Sequence, residues 1–182
     1  MTTGELIFVA AAVAILGISI FVIQRSARLL SRLRRRGRAG EVLANLGRSV
    51  DLELELVLRR VEAVRTEQIA PAEIVTLLSE TVDSVGAAGQ RAKSLSVTPG
   101  VELLRDAFVA EFMHSSRALE SLLDACLELE GTTQDERRQR AQASLKWGQL
   151  NLIRARESLV EHSVEAASLA RSGNRGWRPS RI

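Results

Sequence analysis

Residues 101–130 read VELLRDAFVAEFMHSSRALESLLDACLELE, and this stretch decides the fold. Its apolar and small residues recur at spacings of three and four, the pattern of a helix that packs one face against other helices. The seam predicts a long helix with Cys126 buried and unreactive. We expect Thr98 to cap this helix, Pro99 to take its first position and Gly131 to end it. The seam consists of Val101, Leu104, Phe108, Phe112, Ser115, Leu119, Leu122, Cys126 and Leu129.

Three more helices are indicated by the same periodicity. The first follows Gly37 and Gly40, which we expect to bracket a break, and the second begins at Pro71. The last follows a capping box at Thr133-Gln-Asp-Glu136 and is expected to end before Gly173. Their seams are Leu43, Leu46, Val50, Leu54, Val57, Val61 and Val64; then Ile74, Leu78, Val85, Ala92 and Leu95; then Ala141, Leu145, Gly148, Leu152, Ala155, Leu159, His162, Ala166 and Leu169.

Four helices with short connections pack as antiparallel neighbours, so we predict an all-α fold with a helical bundle over residues 41–172. The lack of tyrosine and the count of only four phenylalanines argue against a β-sandwich or barrel. Residues 50–58 alternate in a way that would suit a strand, but no second strand exists to pair with it. In the second helix, Gly86 and Gly89 favour close packing over a hinge.

A membrane anchor is predicted at residues 6–23, eighteen residues without a charge. As a helix they span ~27 Å, close to the thickness of a bilayer's hydrocarbon core. A cleaved signal peptide would need a positive segment before the apolar run and a small-residue cleavage site after it, and neither is present. We therefore expect residues 1–24 to form one transmembrane helix.

The charge distribution predicts the orientation of this anchor. Residues 25–40 carry seven arginines and no acidic residue, and positive segments stay on the cytoplasmic side. We expect the N-terminus outside a bacterial plasma or inner membrane and the bundle in the cytoplasm. Residues 25–40 would be a basic juxtamembrane segment and residues 173–182 a basic flexible tail.

Two groups of residues are candidates for the membrane interface, where arginine and tryptophan meet anionic headgroups. One lies on a single stripe of the juxtamembrane segment; the other is in the tail, since the fourth helix of an up-down bundle returns toward the membrane. The lipid bilayer is thus a predicted partner, and nucleic acid is not. The two groups are Arg25, Arg28, Arg32 and Arg35, and Arg175, Trp177 and Arg178.

Two further contacts are open to interpretation. Ala10, Ala14 and Gly17 could form a packing face for another transmembrane helix, although a lipid-facing anchor is the favoured interpretation. Leu52 and Leu56 point away from the main seam of their helix. They form either a contact for a partner protein or a second copy of the chain, or a patch beneath a neighbouring helix of the same chain.

The sequence offers little support for a catalytic activity. The only specific pattern is Glu111-Phe-Met-His114, half of a di-iron carboxylate motif whose second half is missing because Leu159 stands three residues before His162. A single cysteine and two histidines leave little material for a metal centre. We expect no enzyme activity, no cofactor and no small-molecule substrate.

The sequence thus predicts a single-pass membrane protein whose cytosolic bundle is a scaffold or accessory subunit of a membrane complex. It would bind other helices, in coiled-coil-like packing, through Leu52 and Leu56 or through its acidic faces. The alternative is a membrane-anchored regulatory relay that repacks around Gly86 and Gly89. A di-iron enzyme is the third and weakest hypothesis.

Overall fold

Four helices make up the protein in a computed structural model. The model describes the backbone of residues 3–132 and 134–174, and the side chains of residues 25, 31, 34–132 and 134–172. No strand occurs in these residues, which confirms the all-α bundle. The helices are α1 (Thr3–Arg65), α2 (Ala72–Ser94), α3 (Glu102–Gly131) and α4 (Asp135–Asn174).

The expected break at Gly37 and Gly40 is absent, because α1 runs without interruption through both residues. At Gly40 the helix passes close to α4, and a Cβ atom there would lie 2.7 Å from the carbonyl oxygen of Ala166. The glycine therefore allows two helix backbones to approach, a role that the sequence pattern of a helix breaker does not reveal. The strand-like stretch at residues 50–58 is helical as well.

The helices stand in ring order α1, α2, α3, α4. The contact of α1 with α4 is the most extensive, those of α3 with α4 and of α2 with α3 follow, and that of α1 with α2 is much thinner. Gly40 lies beside Ala166, whereas Glu62, further along α1, bonds to Gln149, earlier in α4. The two helices are therefore antiparallel, and the last turns of α4 lie beside the part of α1 near residue 40, as the up-down prediction requires.

The core consists of the predicted seams. Phe108 and Phe112 are its largest buried side chains, with ring centroids 5.9 Å apart. Cys126 is fully buried as predicted, and burial raises the pKa of its thiol to about 11. Of the predicted seam residues, only Leu46, Leu95, Leu129, His162 and Leu169 are half-buried rather than buried.

Helix ends differ from the expectations more than helix seams do. Helix α2 starts directly after Pro71, and α3 ends at Gly131, as expected. Helix α3 begins at Glu102 instead of Pro99, because a turn comes first: the Val101 amide donates to the Thr98 carbonyl at 3.0 Å, and Gly100 has a φ of +92°. The Thr98 hydroxyl has no hydrogen-bond partner among the described residues and does not cap α3.

At the other helix ends, α4 continues past Gly173 to Asn174. Thr133, the first residue of the predicted capping box, lies outside the described residues. Inside α2, Gly89 approaches α3, where a Cβ atom would be 3.4 Å from the Phe112 Cβ. Gly86 faces open space, so the close-packing interpretation holds for Gly89 only.

The glycines of α1 provide a test of the α1–α4 contact. A Cβ atom on Gly47 would collide with the Ser163 hydroxyl and lie 2.8 Å from Cε1 of the buried Phe108. We expect Gly47→Ala to lower the free energy of unfolding by about 1–3 kcal/mol through overpacking. Gly86→Ala, the control, meets no neighbour and should raise it by about 0.5–1 kcal/mol. Urea unfolding of the full chain, monitored by circular dichroism, measures both free energies. Equal changes in the two variants would contradict a close approach at Gly47.

Candidate partner-binding surface

Leu52 and Leu56 lie on the outer side of α1, 68% and 48% exposed respectively. Their neighbours Leu54 and Val57 are fully buried, because these point into the bundle. Within the described side chains, no helix buries either leucine, so the interpretation that they lie beneath a neighbouring helix does not hold there. Their contact with a partner stays a prediction.

A groove runs beside Leu56 where α1 and α2 separate. Its volume is about 220 Å³, and its apolar part is formed by Leu56 and Leu77. Glu53 and Glu80 border it, and neither forms an ion pair with a described residue. The thin contact between these two helices therefore leaves an apolar depression with an acidic rim. We call the surface formed by Leu52, Glu53, Leu56, Leu77 and Glu80 the α1–α2 surface.

Hydrogen bonds and ion pairs join the opposite side of α1 to α4. The Arg156 Nε donates to Asp51 Oδ1 at 2.6 Å, and its Nη2 donates to Glu55 Oε2 at 3.1 Å. The Gln149 amide donates to Glu62 Oε2 at 2.9 Å, and this bond together with Arg65 lowers the pKa of the Glu62 carboxyl. These bonds join residues that are far apart in sequence, and the sequence analysis missed them.

The only sequence signal for this network is the pair Asp51 and Glu55, four residues apart and so on one face of a helix. That spacing does not say which helix faces them or which of the many arginines reaches them. The structure assigns the role to Arg156, whose side chain is 31% exposed and so partly shielded from water.

Replacing Arg156 tests how much this network contributes. Arg156→Gln removes a charge-assisted hydrogen bond to each of two half-buried carboxylates, so we expect the free energy of unfolding to fall by about 1–2 kcal/mol. Arg140→Gln is the matched control, since Arg140 pairs with Glu136 at 3.6 Å on an exposed turn of α4. It should change the free energy by no more than about 0.5 kcal/mol in the same urea titration. Losses of the same size for both variants would show that the Arg156 network contributes no more to the free energy of unfolding than an exposed ion pair does.

The predicted membrane contacts mostly fall where side chains are not described. Arg25 and Arg35 are exposed, whereas Arg28, Arg32, the tail residues Arg175, Trp177 and Arg178, and the small residues Ala10, Ala14 and Gly17 lie outside the described side chains. Residues 6–23 lie outside them too. Within the part that is described, no helix has both the length and the apolarity needed to cross a membrane.

The two histidines lie on different helices and differ in exposure. The His114 side chain is 60% exposed on α3, with its Nδ1 3.6 Å from Glu111 Oε2. His162 is half-buried on α4, with its ring centroid 6.0 Å from that of Phe108. Among the described residues, no three histidine, cysteine, aspartate or glutamate side chains come together in a way that could hold a metal ion.

Comparisons with protein-family models, with curated proteins and with solved structures find no match for this chain. The function must therefore be inferred from the surface of the bundle and from the sequence that precedes it.

Proposed function

We propose that this protein is a single-pass membrane protein whose cytosolic bundle is a scaffold or accessory subunit that binds a helix of a partner protein. The observation that carries the proposal is the exposure of Leu52 and Leu56 beside the α1–α2 groove. Fully burying a leucine contributes about 1.5–3 kcal/mol, so a partner surface that covers both leucines would gain affinity from their burial.

The chemistry of the α1–α2 surface favours a basic amphipathic helix as the partner. An apolar helix face anchors in grooves through side chains spaced three or four residues apart. Leu56 and Leu77 would receive such side chains, while Glu53 and Glu80 would meet lysines or arginines at the edge of the helix. Residues 41–130 contain sixteen acidic and eight basic residues, so the surroundings would also attract a basic partner.

The anchor in this proposal is residues 6–23, with the bundle on the cytoplasmic side of a plasma or inner membrane. The seven arginines at residues 25–40 support this orientation. The bundle topology is compatible with it, because Ala170 near the end of α4 lies beside Gly40 of α1. The basic tail that follows α4 thus leaves the bundle at the side from which residues 25–40 enter, where it could reach anionic headgroups.

Thiol labelling in intact cells tests the orientation. A membrane-impermeant maleimide should label Thr2→Cys from outside, because five residues precede the apolar run. Ser94→Cys, an exposed position at the end of α2, should be labelled only after the membrane is permeabilised. The buried Cys126 provides an unlabelled background. Labelling of Ser94→Cys in intact cells would overturn the proposed orientation.

Co-purification tests the partner-binding role. The full chain, extracted in mild detergent, should bring down a stoichiometric partner, and the double variant Leu52→Ser, Leu56→Ser should lose at least tenfold of it, since 1.4 kcal/mol corresponds to about tenfold in affinity. Leu103→Ser is the matched control, because Leu103 is 85% exposed and lies on another helix. It should leave the yield unchanged, and a circular dichroism melt verifies that each variant is folded. Recovery of the wild-type chain alone would contradict the scaffold role.

A further inference from the structure

We propose that a groove between α3 and α4 binds a small soluble phosphate-bearing anion. Its volume is about 380 Å³, and its floor is formed by Ala118 of α3 and Ala155 of α4, which are 4% and 5% exposed. Two alanines facing each other leave room between the helices that larger side chains would fill. In the ring order of the helices, this groove lies on the opposite side of the bundle from the α1–α2 surface, so it is independent of the proposed scaffold role.

The groove carries two guanidinium groups, that of Arg117 on α3 and that of Arg154 on α4. Neither forms an ion pair with a described residue. Glu120 and Glu157 stand three residues further along the same helices, at a spacing that permits pairing, yet neither arginine pairs with them. Both positive charges are therefore left for a ligand or for water.

This concentration of positive charge stands out against the charge of α3. Helix α3 has seven acidic residues and only two basic ones, Arg105 and Arg117. Arg105 is neutralised by Asp106, with Nη2 to Oδ1 at 2.8 Å, which leaves Arg117 as the only arginine of the helix without an acidic partner among the described residues. The single acidic residue among those lining the groove is Glu111, which lies 3.6 Å from the His114 imidazole.

Neutral donors complete the groove. The Asn151 amide and the Ser158 hydroxyl line it from α4, and neither has a hydrogen bond to a described residue. Guanidinium groups bind phosphate oxygens through two parallel hydrogen bonds, and amide and hydroxyl donors add further ones. A ligand with several phosphate oxygens can use both walls of the groove at once, which a singly charged carboxylate cannot do as well.

The position of the groove favours a soluble anion over a lipid headgroup. Arg154 precedes Arg171 by seventeen residues of α4, so it lies ~25 Å further along the bundle from the side on which residues 25–40 enter. That distance is about three Debye lengths at physiological ionic strength. In the membrane orientation of the proposed function, on which this preference rests, a headgroup would lie too far from Arg154 to contact it.

Isothermal titration calorimetry with the full chain in detergent tests the proposal, with pyrophosphate as the probe and sodium chloride at matched ionic strength as the blank. We expect saturable binding of one pyrophosphate per chain. The double variant Arg117→Gln, Arg154→Gln should weaken it at least tenfold. The control Arg137→Gln, Arg138→Gln removes the same charge from exposed positions of α4 outside the groove and should change it less than twofold.

Two results would overturn the proposal. One is the lack of saturable binding to the wild-type chain, and the other is an equal loss in both double variants, which would indicate attraction to net charge alone. Hydrogen exchange of the wild-type chain keeps the test decisive if the groove variant fails to fold. Pyrophosphate should slow hydrogen exchange at residues 111–121 and 151–158. If it slows exchange only outside these two segments, the assignment of the groove is also overturned.

Discussion

The close approach of α1 and α4 is the constraint on which the rest of this structure depends. At Gly40 the two backbones come so near that a methyl group would not fit without displacement, and at Gly47 a methyl group would collide with the side chains of Ser163 and Phe108. On the outer border of the same contact, Arg156 joins Asp51 and Glu55 across the two helices. Small residues and an ion-pair network thus act together: the glycines set the distance, and the polar bonds set the register.

The far side of α1 is packed much less closely. Its contact with α2 is thin, and a groove opens beside Leu56. Leu52 and Leu56 are exposed on this side of the helix. The asymmetry of the bundle therefore produces the surface that favours a partner helix, and this surface lies opposite the polar groove between α3 and α4.

The charged side chains at the two grooves also differ. Among the described arginines of the bundle, some have carboxylate partners, as Arg105 and Arg156 do. Arg117 and Arg154 form no ion pair with a described residue, and they border a groove to which both helices contribute hydrogen-bond donors. Glutamates border the apolar groove, whereas arginines border the polar one, so the two faces would attract ligands of opposite charge.

The four helices, their buried seams and the burial of Cys126 follow from the sequence alone, because helical periodicity is a local property that neighbouring residues specify. The anchor at residues 6–23 is a prediction from apolar length. The sequence did not reveal the helix through Gly40, the late start of α3 at Glu102, the Arg156 network or the α3–α4 groove. The late start of α3 comes from the local turn at residues 98–101. The other three depend on which helices meet and how closely. Only the tertiary structure decides that, since the contacts join residues about a hundred positions apart, as Asp51 and Arg156 are, and no local pattern encodes the distance between them.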